Sequence, residues 1–180
     1  MEQIIDYNSW LGNAIEASKS FHSGVSNIDN YLQEELVNTQ NDVERRLLLY
    51  VEGERILGFV SFSIVQFKVT IQNKNSIMQD PVIYINGLGV DLSRQRNKIG
   101  SKLLEIVFKT ALTINVLAPI KGVRLTAYRE ATDFYDSFEF DYLGRKPEED
   151  FNSKEFPMYM DIDFIDKLGF EPFYNIFEVK

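Results

Sequence analysis

The segment from Val82 to Leu117 constrains this chain more than any other. An apolar run, Val82-Ile83-Tyr84-Ile85-Asn86-Gly87-Leu88-Gly89-Val90, leads into a short basic stretch, Arg94-Gln95-Arg96-Asn97-Lys98. From Ile99 onward, Leu103, Leu104, Val107, Phe108, Ala111 and Ile114 recur at helical spacing until Pro119 ends the pattern. The order is strand, basic loop, helix. A helix start exposes unpaired N–H groups and the positive end of the dipole, so it favours an anion such as phosphate. Arg94, Arg96 and Lys98 concentrate positive charge there in a chain of net charge −8. A local basic cluster in an acidic background points to an anion site.

Around this unit the pattern is mixed. A helix is expected over residues 27–40, a short strand over 46–51, a turn over 52–55 and a long strand over 56–69, the two strands forming an antiparallel hairpin. Residues 72–80 are polar and read as a loop. A strand over 123–127, a helix over 131–138 and a strand over 157–162 follow. The strands flanking the helix at Ile99–Leu117 must run parallel, because a crossover helix joins them. Gly87 and Gly89 flank Leu88, which marks either a bulge with freed backbone groups or close packing against a helix.

The 180 residues suit one domain, with residues 163–180 as a C-terminal extension rich in aromatics, Phe164, Phe170, Phe173, Tyr174 and Phe177. Those rings call for an added strand or for docking on a dimer partner. No cysteine and one histidine, His22, argue against thiolate or histidine metal sites and against a serine–histidine hydrolase. No metal site is expected. The absence of a long apolar run and the acidic opening, Met1 to Asp6, point to a cytoplasmic chain without a membrane span.

Three motifs in this order resemble the GNAT superfamily of acyl-CoA N-acyltransferases. Gln95-Arg96-Asn97-Lys98-Ile99-Gly100 resembles the family loop Gln/Arg-x-x-Gly-x-Gly/Ala, with Lys98 in place of the middle glycine. Ala131-Thr132-Asp133-Phe134-Tyr135-Asp136-Ser137-Phe138-Glu139-Phe140 resembles Ala-x-x-Phe-Tyr-x-x-Phe-Gly-Phe, with Glu139 in place of glycine. The opening from Phe21 to Leu32 is similar to one branch that includes tRNA-acetylating toxins. The resemblance implies an α/β (α+β) fold: a mixed, mostly antiparallel sheet with a central, splayed, parallel strand pair, flanked by helices.

It further implies acetyl-CoA as acyl-donor cosubstrate, lying along the splayed strand. Leu88, Gly89 and Val90 would carry the pantetheine arm. Arg96, Asn97, Lys98, Ile99, Gly100 and Ser101 would hold the pyrophosphate. Tyr135 would return a proton to the leaving sulfur, and the Val90 N–H would face the developing oxyanion. Phe134 and Phe138, at i and i+4, read as the packing face of their helix, with Tyr135 pointing elsewhere. No general base stands out; Glu52, Glu54 and His22 are candidates by type. The acceptor is an amine. An aminoacyl-tRNA is an alternative that the acidic net charge disfavours, and a binding module without catalysis is another, because two family glycines are replaced.

Overall fold

The computed structural model describes residues 2–38, 44–70 and 77–174. Seven strands form one sheet in the order β1-β2-β3-β4-β5-β7-β6. They are β1 (Glu2–Asp6), β2 (Arg45–Glu52), β3 (Arg55–Thr70), β4 (Ile77–Val90), β5 (Gly122–Tyr128), β6 (Asp141–Tyr142) and β7 (Glu155–Asp161). Among the described residues five α-helices accompany them: α1 (Ala14–Lys19), α2 (Ser26–Asn38), α3 (Ile99–Leu117), α4 (Thr132–Asp136) and α5 (Ile162–Lys167). Sheet and helices agree with the mixed, mostly antiparallel class expected from the sequence.

The chain divides into two compact units, Met1–Ser63 with Asn86–Val107, and Ile64–Ile85 with Phe108–Lys180. In the first, β1 and β3 pair antiparallel with β2. The β2–β3 hairpin closes at Glu52↔Arg55, and Gly53 takes the left-handed conformation (φ 61°) that a tight turn requires. A register shift at Tyr50/Val51 leaves Leu57 as the extra residue on β3. The core joins Phe21, Leu32 and Leu36 to Leu47, Leu49, Val51, Ile56 and Phe59. Leu32 and Leu36 lie one helical turn apart, which places both on the buried face of α2.

In the second unit β5 pairs antiparallel with β7 along its whole length, and parallel with β4 only at Ile83↔Val123, Tyr84↔Arg124 and Ile85↔Leu125. The parallel pairing ends at Ile85↔Leu125. Phe108 on α3 is fully buried and meets the rings of Phe138, Phe140 and Phe170 at centroid separations of 6.1, 6.0 and 5.3 Å.

Several expectations change. β4 begins at Ile77, so residues 77–80 of the expected loop are strand; residues 72–76 lie outside the described residues. Ladder pairing does not require apolar alternation, so a polar stretch can enter a strand without a period-two pattern. β1, α1, β6 and α5 add to the elements expected from the sequence; each is short and weakly patterned. As far as Tyr174 the tail adds no strand to the sheet; Phe164 and Phe170 are half-buried, while Phe173 and Tyr174 remain exposed. The Phe173 N–H donates to Thr113 Oγ1 on α3 at 2.9 Å, and Phe170 packs on Phe108 of the same helix. Phe177 lies outside the described residues.

Candidate functional site: an anion loop and a buried tyrosine

The loop before α3 contains two residues that leave ordinary backbone geometry. Arg96 and Lys98 hold φ of 64° and 60°, and with Glu139 at 65° they are the non-glycine residues at positive φ among those described. Two of the three, Lys98 and Glu139, stand where the family pattern has glycine. The glycine conformation has therefore been kept although the glycine has gone. A β-carbon in this region costs about 1–2 kcal/mol, so neighbouring structure must hold it there.

The bracing comes from the segment ahead of α2. Asp91 is buried, and its carboxylate accepts from the Ser93 hydroxyl, the Ser93 N–H (3.0 Å) and the His22 N–H (3.1 Å). Burial pushes its pKa up, but the Ser93 hydroxyl, the two N–H groups and nearby Arg55 together hold it below the usual carboxylate range. The Leu92 N–H returns a bond to the His22 carbonyl at 2.8 Å. Gln95 Nε2 donates to the Ser23 carbonyl at 2.9 Å and to the Val90 carbonyl at 3.2 Å. Asp29 caps the same segment, accepting from Ser23 N (2.8 Å), from the Ser23 hydroxyl (2.6 Å) and pairing with His22 Nδ1 (2.8 Å). Its pKa is also lowered: the penalty of burial is outweighed by the two Ser23 bonds and by His22. The links from Asp91 to His22 and from Gln95 to Ser23 carry no sequence signal, because the partners are 69 and 72 residues apart.

The strand glycines Gly87 and Gly89 pack closely against α2. A β-carbon on Gly87 would lie 2.6 Å from Tyr31 Cε1, and one on Gly89 would lie 2.6 Å from Ile28 Cγ2 and 2.8 Å from Phe59 Cε1. Both glycines let α2 close down on β4. Tyr31 is fixed in turn by stacking on Phe59 and by donating to Ser61 Oγ at 3.1 Å. The alternate residues, Leu88 and Val90, are half-buried.

Of the three loop cations, Arg94 is committed: its Nη2 lies 2.7 Å from Glu52 Oε2. Arg96 and Lys98 are exposed and have no ion pair or side-chain hydrogen bond among the described residues, and Asn97 between them is exposed as well. The first hydrogen bond of α3 runs from Lys102 N to Lys98 O at 3.0 Å. The N–H groups of Ile99, Gly100 and Ser101 thus start the helix without an intrahelical acceptor. Ile99 is buried, and its Cγ2 would lie 2.9 Å from a β-carbon on Gly58, which seats this end of α3 on β3. Backbone donors next to left-handed residues form a concavity suited to anions, and two free cations flank it. This donor set fits a diphosphate.

Tyr135 belongs to the second unit. Its residue is 7% exposed, against the expectation that it would stand apart from the packing face. Its ring meets Phe134 edge-on at 5.0 Å and Phe140 at 5.7 Å, while Phe134 and Phe138 are only half-buried. α4 is too short for an i, i+4 stripe to decide which face is covered; Phe140, beyond the helix, encloses the tyrosine instead. Burial raises its pKa above the ordinary phenol value, so the hydroxyl stays protonated through neutral pH. Among the described residues that hydroxyl has no hydrogen-bond partner. Of the candidate bases, Glu52 is bound to Arg94 and His22 to Asp29. No group of three or more potential metal ligands occurs among the described residues, and no helix there is long and apolar enough to cross a membrane.

No curated protein sequence matches the chain significantly. Solved structures do. A tyrosine-to-phenylalanine mutant of KacT superposes with a TM-score of 0.76 at 18% identity, covering 93% of this chain and 98% of that one. AtaT complexed with acetyl-methionyl-tRNAfMet gives 0.75 at 17%, covering 94% and 99%. AtaTR bound with acetyl-CoA gives 0.74 at 17%, covering 94% and 97%. At such identities the likeness is one of fold. The sequence itself matches the model of the acetyltransferase (GNAT) family across residues 14–140, most of its length and all three motif regions. By that match, this chain belongs to the acetyltransferase (GNAT) family.

Proposed function

We propose that this protein transfers the acetyl group of acetyl-CoA to a primary amine, by direct attack of the amine on the thioester, in the cytoplasm. Acetyl-CoA supplies the activated acyl group. The observation that carries the reading is the loop at Arg96–Ser101: its left-handed residues, free helix-start N–H groups and two uncommitted cations match a pyrophosphate. Leu88, Gly89 and Val90 form the strand along which the pantetheine arm pairs, and the Val90 N–H faces the acyl oxygen. Tyr135, kept protonated by burial, gives its proton to the departing sulfur. The retained φ of Lys98 speaks against the binding-module alternative, since a decayed site would have no need of strain.

The neighbours favour an aminoacyl-tRNA as acceptor, AtaT being complexed with acetyl-methionyl-tRNAfMet. The net charge of −8 works against it. So does the engagement of Arg45, Arg46 and Arg94 with Glu35, Asp6 and Glu52. Of the other basic residues a tRNA-binding patch could draw on, the side chain of Lys68 and all of Lys74 lie outside the described residues.

The test is thermal unfolding with acetyl-CoA, CoA, ADP and NAD, followed by CoA release with a panel of amines and charged tRNAs. A ligand at a hundred times its Kd stabilises by about 2.7 kcal/mol, or roughly 5–10 °C in a chain of this size. Stabilisation by acetyl-CoA and CoA but not NAD is expected. No shift with either would overturn the reading.

A further inference from the structure

Gln95 is the first residue of the loop motif, yet its side-chain amide is bonded to backbone carbonyls outside the loop. The single amide nitrogen spans two carbonyls from different parts of the chain, Ser23 ahead of α2 and Val90 at the end of β4. Both partners can only accept, so both amide hydrogens are used and the orientation of the group is fixed. Ser23 is itself held by Asp29, and its neighbour His22 by Asp91 and Leu92. One side chain therefore ties the last residue of the pantetheine strand, the first residue of the anion loop and the braced segment before α2 into one frame.

We infer that Gln95 is a positioning residue that fixes the pantetheine strand and the pyrophosphate loop in register with each other; this rests on the acetyl-CoA reading given above. A ligand that touches both subsites gains from their fixed spacing, because its second contact becomes intramolecular. A ligand that touches one subsite gains nothing from it. Loss of the tether should thus be felt by CoA and not by its halves.

The isosteric substitution Gln95→Glu turns a double donor into an acceptor facing two carbonyl oxygens. Calorimetric or competition binding is measured for CoA, for ADP as the loop fragment and for pantetheine as the strand fragment, on wild type, Q95E, Q95L and Q95R. Q95L serves if Q95E fails to fold. The expected result is a fall of about tenfold or more in CoA affinity for Q95L, with ADP and pantetheine within twofold of wild type; Q95E, which also adds a negative charge to the anion loop, should weaken CoA further and ADP with it. Q95R, which can donate to both carbonyls, should restore CoA binding. Equal weakening of CoA and ADP in Q95L would overturn the inference, showing that Gln95 only shapes the loop. Unchanged CoA binding in Q95E would overturn it as well. A wild-type protein that binds no CoA would overturn the cofactor reading itself, and this inference with it.

Discussion

Replacing Lys98 by glycine separates two things that this residue does at once. Its backbone sits at φ 60°, where an L-residue carries about 1–2 kcal/mol of strain. Its ammonium is exposed and unpaired among the described residues, so no native contact is lost on removing it. Glycine relieves the strain but gives the unfolded chain more freedom, which takes back about 0.4–1 kcal/mol. The net gain is about 0.5–1 kcal/mol, or roughly 1–4 °C in midpoint for a chain of this length. Lys98→Ala keeps the β-carbon and the strain, so it should remain near wild type in stability. Both variants lose the cation, so both should bind CoA a few-fold more weakly, and by similar factors. Calorimetric or urea unfolding beside CoA titration reads both quantities. The reasoning fails if K98G is less stable than K98A, because the side chain would then be holding the loop instead of being held by it.

Glu139→Gly should likewise raise the unfolding midpoint by a few degrees, since Glu139 holds φ 65° and is exposed. Gly87→Ala should cost about 1–3 kcal/mol by overpacking, because Tyr31 is pinned by Phe59 and Ser61; wild-type stability for G87A in urea would show that α2 can yield. Asp91→Asn should lower stability at pH 7 by about 1–3 kcal/mol. Because the folded pKa of Asp91 is depressed, its contribution is present above the unfolded value of about 3.9 and is lost as pH falls through the folded value. The gap between wild type and D91N should therefore narrow below about pH 4; a gap that stays constant down to pH 2 would contradict the assignment. Tyr135→Phe should lower kcat by about 10²–10⁴-fold with CoA affinity within twofold, and wild type should show no alkaline loss from this group below about pH 10, its pKa being raised. A fully active Y135F would remove Tyr135 from the chemistry.

The sequence by itself determined the elements whose cause is local. Apolar spacing over Ile99–Leu117, β-branched runs over β3 and β4, and the proline after α3 act within a turn or a strand, so they could be read in order along the chain. The crossover rule then made β4 and β5 parallel, and the motif order carried the family. What only the tertiary structure decided rests on contacts distant in sequence. Gly87 and Gly89 admit Tyr31 and Ile28 of α2, which lies far upstream in the chain. Tyr135 is enclosed by Phe140 beyond its own helix, and Arg94 is taken by Glu52 across a gap of 42 residues. Lys98 and Glu139, which looked like damage to two glycine sites, keep the glycine conformation. Positive φ is a property that packing and hydrogen bonds impose on a residue, and residue type alone sets only what that conformation costs.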